Sequence, residues 1–381
     1  MKSLTATYAA STLALAILVG IAFSHLDVGP RWDITSVPPT GSFTYVAMAH
    51  APFWSDSAPY EAPYCWRLLG PTLLHFWPYD LPTGFFLLAS VSLFGTTLAV
   101  GWLLLGLGSS RFSAGAGAVC FVLLGPGAAF NLKHYHLIDP LAFFFLTLTL
   151  GAVAHRKGLL AAVCLIALAA TKETVVIAFA SSCALAVRGQ DAGTKRWVLS
   201  GGVVALVLLE FIRLTVPATE HYSLFHEFSA IYLSHPSLRD LTRIALGATG
   251  LTWGILLPFS ALQLVHPPRI WSNLGLLTLI VLATAQIFVA WDTERVVILG
   301  FPAVIAATTF EVEFIASSTA IKKEAIWIVI FLCELPGLVG NLEERGIPFL
   351  GEASALLVLL SCLAVGAALV RSRRIGQASA F

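Results

Sequence analysis

Lys172 and Glu173 stand side by side in AATKETVVIA (169–178), the two formally charged residues of the apolar run from Gly158 to Val187. A lysine can stabilise a phosphate as a point charge, and a carboxylate can accept a proton or hold a cation. Residues of the same chemical kind recur in short motifs elsewhere: Asp33, Arg67 in YCWRLLGP, His134 and His136 in KHYH, Asp139-Pro140, and Asp292 with Arg295 in WDTER. On extended chain His134 and His136 share a face, a spacing that suits a metal pair but brings no third ligand with it. Asp139-Pro140 reads equally as a helix start, Asp as N-cap and Pro at the first helical position. Asp292 reads as a cap before Glu294-Arg295, and Glu210 with Arg213 as an i, i+3 ion pair. For Lys172 and Glu173 two readings stand side by side: a phosphate contact, or a local ion pair clasping a turn.

The elements that must position these residues are membrane spans. The chain is 57% hydrophobic and 11% charged, where a soluble domain carries about 25% charge. A net charge of +1, with no basic tract and no zinc spacing, gives no reason to expect a nucleic-acid partner. Of the six cysteines, five lie in apolar runs, Cys65 lies in a polar loop, and no CxxC occurs. Apolar runs predict an all-α, single-domain integral membrane protein over 1–381, with about 12 spans. They fall near 5–24, 83–107, 113–130, 139–154, 158–171, 174–187, 196–216, 242–265, 273–290, 296–315, 325–340 and 353–370. The first is read as a retained span rather than a cleaved signal peptide. Between the first two lies a long first outer loop, 25–82, with two interfacial helices expected: 41–51, capped by Ser42, and 62–77, kinked or divided at Pro71.

The run 158–187 has 30 residues, too many for one crossing of a bilayer core that needs ~20 and few for two. Charge decides between them. With the N-terminus inside, 13 of the 22 Lys and Arg fall in inner segments such as SSRFS, AHRKG, IKKEA and the C-terminal RSRR, as the positive-inside rule requires. A single crossing at 158–187 would turn every later basic loop outward. The run is therefore expected to be a hairpin with Lys172 and Glu173 at its outer tip. Arms of about 14 residues reach only ~21 Å into a ~30 Å core, which recesses the tip below the outer surface. Asp33, Arg67, the two histidines, Asp139, Asp292 and Arg295 collect on that same face. A solvated Lys172 at such a tip is expected to be removable with little loss of stability.

The order and sidedness of these motifs resemble the GT-C superfamily of membrane glycosyltransferases. The resemblance covers most of the chain as architecture, and about 1–175 and 291–302 as motif. Asp33 stands where the family has an acid early in its first outer loop. Tyr45 in YVAMA and Arg67 with Pro71 in YCWRLLGP resemble bacterial members, as do Asp139-Pro140, Lys172-Glu173 and Asp292-x-x-Arg295. The resemblance implies transfer of a hexosyl or pentosyl unit from a polyprenyl-phosphate donor to a lipid, glycan or protein acceptor, at the outer face of a bacterial inner membrane. Asp33 would act as base. Arg67, His134, His136, Asp139, Lys172, Glu173, Asp292 and Arg295 would bind substrate. No cofactor is implied with certainty; the first loop has no DxD pair, and a divalent metal remains an open alternative. A transporter or flippase, a polymerase or ligase, and a non-catalytic scaffold of the same architecture are the rival readings.

Overall fold

The structure, a computed structural model, describes residues 44–52, 54, 60–125, 127–187, 191–219, 252–265, 274–286 and 297–342, with isolated positions at 229, 237 and 249. Ser42, Asp33, Asp292, Glu294, Arg295 and the spans expected at 5–24 and 353–370 lie outside these residues.

Among the described residues the fold is helical and contains no strand, only an isolated bridge between Tyr60 and Ala218. Two short helices, α1 (Thr44–His50) and α2 (Leu69–His75), precede the bundle. The bundle comprises α3 (Leu81–Gly106), α4 (Arg111–Leu123), the short α5 (Ala129–Lys133), α6 (Asp139–Ala154), α7 (Gly158–Ala169), α8 (Val175–Val187), α9 (Ala192–Thr215), α10 (Leu256–Val265), α11 (Leu274–Ala285), α12 (Phe301–Ser318) and α13 (Lys323–Leu342). Three helical segments, Leu81–Gly106, Ala192–Thr215 and Ile298–Ser318, are long and apolar enough to cross a membrane. With the shorter apolar helices they mark a membrane-embedded protein.

Local chemistry sets the helix starts. Asp80 caps α3 by accepting from the Thr83 amide at 2.9 Å, and Asp191 caps α9 through the Thr194 amide at 2.7 Å. The expected 62–77 helix is divided, but not at Pro71. A 3-10 turn at Tyr64–Trp66 ends before Arg67, and Pro71 sits in the first turn of α2, where its missing amide costs no intrahelical bond.

Close contacts fix the relative direction of three helix pairs. Phe121 of α4 packs on Phe301 of α12 with ring centroids 4.6 Å apart, while the Ser110 amide donates to Glu313 at 2.7 Å. These two helices are antiparallel. Gly95 lies against Phe144 and Gly106 against His155, so α3 and α6 are parallel. The same reading makes α7 and α9 parallel, because Gly158 meets Thr194 and Gly201 meets Ala162. From α3 to α9 the long helices thus alternate in direction. The connections at 107–110, 155–157 and 319–322 share one end of the bundle, and 124–138, 170–174 and 216–219 share the other.

Residues 158–187 form two helices broken at 170–174, as the hairpin reading required. The Lys172 amide still donates to Leu168 O at 2.8 Å and the Val175 amide to Lys172 O at 3.2 Å, so the reversal takes only the five residues 170–174 and leaves no free loop.

Candidate functional site

The first loop is fastened to the hairpin tip by backbone as well as by side chains. The Leu69 amide donates to Ala170 O at 2.8 Å, and the Thr219 amide to Tyr60 O at 2.9 Å. The Tyr60 hydroxyl turns back to Ala51 O at 2.6 Å. Two apolar clusters complete the fastening. Tyr45, Val46 and Leu74 pack with Leu137 and Ile138 ahead of α6, and Met48 and Cys65 pack with Ile212 and Val216 at the end of α9.

Four charged residues from three distant segments meet beneath this cover. Lys172 Nζ donates to Asp139 Oδ1. Arg67 reaches Glu173 three ways: Nε to Oε1 at 3.3 Å, Nε to Oε2 at 3.1 Å, and Nη2 to Oε2 at 3.0 Å. Its Nη1 donates to the Tyr45 hydroxyl at 2.6 Å, and its plane lies over the Tyr64 ring at 5.3 Å. The planar guanidinium suits this triple duty, where an ammonium would supply only a point charge.

The adjacent Lys172 and Glu173 therefore pair with different partners, and the local-clasp reading is overturned. Residues next to each other at a tight reversal point apart, so each meets a different wall of the site. The N-cap reading of Asp139 is corrected as well. Asp139 lies inside the first turn of α6, Ile138 occupies the cap position, and the carboxylate goes to Lys172 rather than to the helix amides. Lys172 is buried and ion-paired, so its expected cheap removal does not stand either.

The network is graded in exposure. The Lys172 and Asp139 side chains are 8% and 4% exposed, those of Arg67 and Glu173 11% and 22%. The first pair is closed from solvent, and the second forms the accessible edge. Burial opposes the charge on Arg67, but Glu173, Tyr45 and Asp139 together outweigh it and keep the guanidinium protonated. Burial pushes the Tyr45 phenol well above its ordinary value, with Arg67 acting in the opposite sense. Burial also pushes the Cys65 thiol up to about 12, which makes it an unreactive packing group.

His134 and His136 do not lie on extended chain. They occupy a turn after α5, with ring centroids 6.1 Å apart, and His134 also packs on Phe130 at 4.5 Å. Among the described residues no group of three His, Cys, Asp or Glu could hold a metal. The sequence-predicted Arg67, Asp139, Lys172 and Glu173 come together; the histidines lie in the turn between α5 and α6.

Sequence reasoning missed two buried carboxylates, Glu311 of α12 and Glu334 of α13. Glu334 of α13 accepts from the Ile255 amide at 3.1 Å, where the chain turns through Gly254 (φ +45°) before α10 begins. A Cβ at position 254 would lie 2.8 Å from Glu334 Oε1, so the close approach needs glycine. The signal was available: Glu334 is the one charged residue in the apolar run 325–340, a position that marks function or structure in a span.

No family model matches the chain, and no curated protein matches it significantly.

Proposed function

We propose that this protein is a membrane glycosyltransferase of GT-C type, with about 12 spans, both termini inside and the hairpin tip facing outward. It transfers a hexosyl or pentosyl unit from a polyprenyl-phosphate donor to an acceptor hydroxyl. The observation that carries the reading is the convergence of Arg67, Glu173, Lys172 and Asp139 at one end of the bundle, beneath helices of the first loop.

Transfer breaks the bond between the sugar's anomeric carbon and the donor phosphate and forms one to the acceptor oxygen. The acceptor proton passes to a carboxylate, for which Asp33 is the candidate, and polyprenyl phosphate leaves with the bonding electrons. The leaving phosphate needs a cation. Arg67 fits this role because its partner Glu173 is at the accessible edge and can be exchanged for a phosphate, which the guanidinium also binds bidentately. Glu173, once released, is free to accept a hydrogen bond from a sugar or acceptor hydroxyl. Lys172 and Asp139, closed beneath them, hold the tip in register.

The interrupted chain at Gly254, capped by Glu334, favours a second reading, since broken helices mark transport sites. Proteoliposomes separate the two. With a radiolabelled polyprenyl-phosphate hexose or pentose, a transferase releases polyprenyl phosphate and Arg67→Ala lowers the rate by about 10²-fold or more. Solute or lipid translocation without release of polyprenyl phosphate would replace this reading by transport.

A further inference from the structure

The flank of the site carries a second arginine that the network does not use. Arg213, near the end of α9, donates from Nη1 to Glu210 at 3.1 Å and lies over the Trp66 ring at 5.3 Å. Its Nε is buried and has no hydrogen-bond partner. Trp66 is the chain neighbour of Arg67, so one aromatic residue separates this flank from the charge network.

The pair sits on the wrong kind of surface for an ordinary solvated ion pair. Glu210 is exposed among Val203, Val207, Phe211 and Leu214, all at least 51% exposed, a face composed for hydrocarbon. Its depth follows from helix rise. Eighteen residues separate Lys195, at the opposite boundary, from Arg213, or about 27 Å along a helix. The hydrocarbon core is ~30 Å thick, so Arg213 lies where the hydrocarbon gives way to lipid phosphates. An arginine whose apolar stem follows the helix and whose head rests on a tryptophan suits that layer.

We infer that Arg213 and Trp66 form a lateral landing site for a lipid phosphate, with Glu210 as the counter-ion that the phosphate displaces. The guanidinium binds a phosphate bidentately in place of a single carboxylate contact. A phosphate held there lies beside the residue that precedes Arg67, with its lipid chain against the exposed face of α9. Two sources share this chemistry: a polyprenyl phosphate, which would make this the entry to the transfer site and rests on the function proposed above, and bulk anionic phospholipid.

Native mass spectrometry of protein released from phosphatidylcholine nanodiscs tests the site, with the discs doped with either polyprenyl phosphate or phosphatidylglycerol. The wild type should retain polyprenyl phosphate. Arg213→Gln should weaken retention about tenfold or more, the value of one lost charged hydrogen bond. Glu210→Gln should strengthen it, because the competing carboxylate is gone. Opposite effects from two halves of one ion pair cannot come from misfolding. Equal retention by all three proteins overturns the inference. Arg213-dependent retention that is as strong for phosphatidylglycerol keeps the phosphate site and overturns its role as donor entry. Loss of retention in Arg213→Gln with no sugar transfer by the wild type would leave the site standing and remove the transferase. A transferring wild type matched by Arg213→Gln in both retention and rate would do the reverse.

Discussion

Two carboxylate sites of this molecule are neutralised differently. At the hairpin-tip end, Asp139 and Glu173 meet Lys172 and Arg67, brought from segments 33 and 106 residues away. In the bundle, Glu334 meets the backbone amide of Ile255 at a break in the chain. A helix start supplies amides fixed by the fold, so Glu334 has a partner that cannot leave. A side-chain cation can change partners, and Arg67 with Glu173 retains enough exposure to do so. The first arrangement can receive a ligand, and the second holds an interrupted helix together.

The sharpest break of this comparison is within the tip network itself. Lys172→Met leaves the Asp139 carboxylate buried without its cation, and breaking a buried pair costs about 3–5 kcal/mol. Denaturant titration in detergent should show that loss, and a similar one for Asp139→Leu. The double variant should recover most of it, because two apolar side chains leave no orphan charge. Two single variants that melt like the wild type would show that the pair is not closed from water.

Glu334→Leu comes next. It leaves helix-start amides without an acceptor in a region that has no water to replace it, at about 2–4 kcal/mol. Glu334→Gln keeps one acceptor oxygen and should lose clearly less. If both variants keep full stability, the carboxylate does not hold the break. Arg67→Gln should cost less than either, about 1–3 kcal/mol, because Arg67 and Glu173 are partly screened by solvent. Its loss of transfer should exceed its loss of stability, whereas a purely structural Arg67 would lose the two in step.

This difference also explains what could be read in the sequence. The hairpin was legible because basic residues at Arg188, Lys195, Lys322 and the C-terminus fix the parity of crossings, a property of the chain as a whole. That Arg67, Asp139, Lys172 and Glu173 share one end was legible for the same reason. Their pairing was not. Neighbours at a helical reversal point to different walls, and which wall holds which counter-charge depends on how the first loop seats on Ala170 and Ala218. Asp139-Pro140 carried a correct helix start, but tertiary pairing with Lys172 overrode its capping role. Glu334 stands out as a lone charge in the apolar run 325–340, but its partner is backbone, which no residue type announces.

The smallest effect belongs to Tyr45, which tests whether the accessible edge is a hydrogen-bonded unit or only an ion pair. Tyr45→Phe keeps the ring and removes the hydroxyl that receives Arg67 Nη1 at 2.6 Å. A hydrogen bond to a charged donor contributes about 1–3 kcal/mol, and the lower part of that range is expected because Arg67 keeps Glu173. The pH dependence identifies the group. Burial raises the folded-state pKa of this phenol above its ordinary 10.0, so the protonated form is favoured by folding. The corresponding stability is fully present below pH about 10 and is lost as pH rises from there toward the folded-state value. Between pH 7 and 9 the Tyr45→Phe protein should melt below the wild type by a constant margin. Above pH 10 the wild type should lose stability faster, and the two melting curves should converge. Parallel curves up to pH 11 would show that the Tyr45 hydroxyl is not closed off with Arg67.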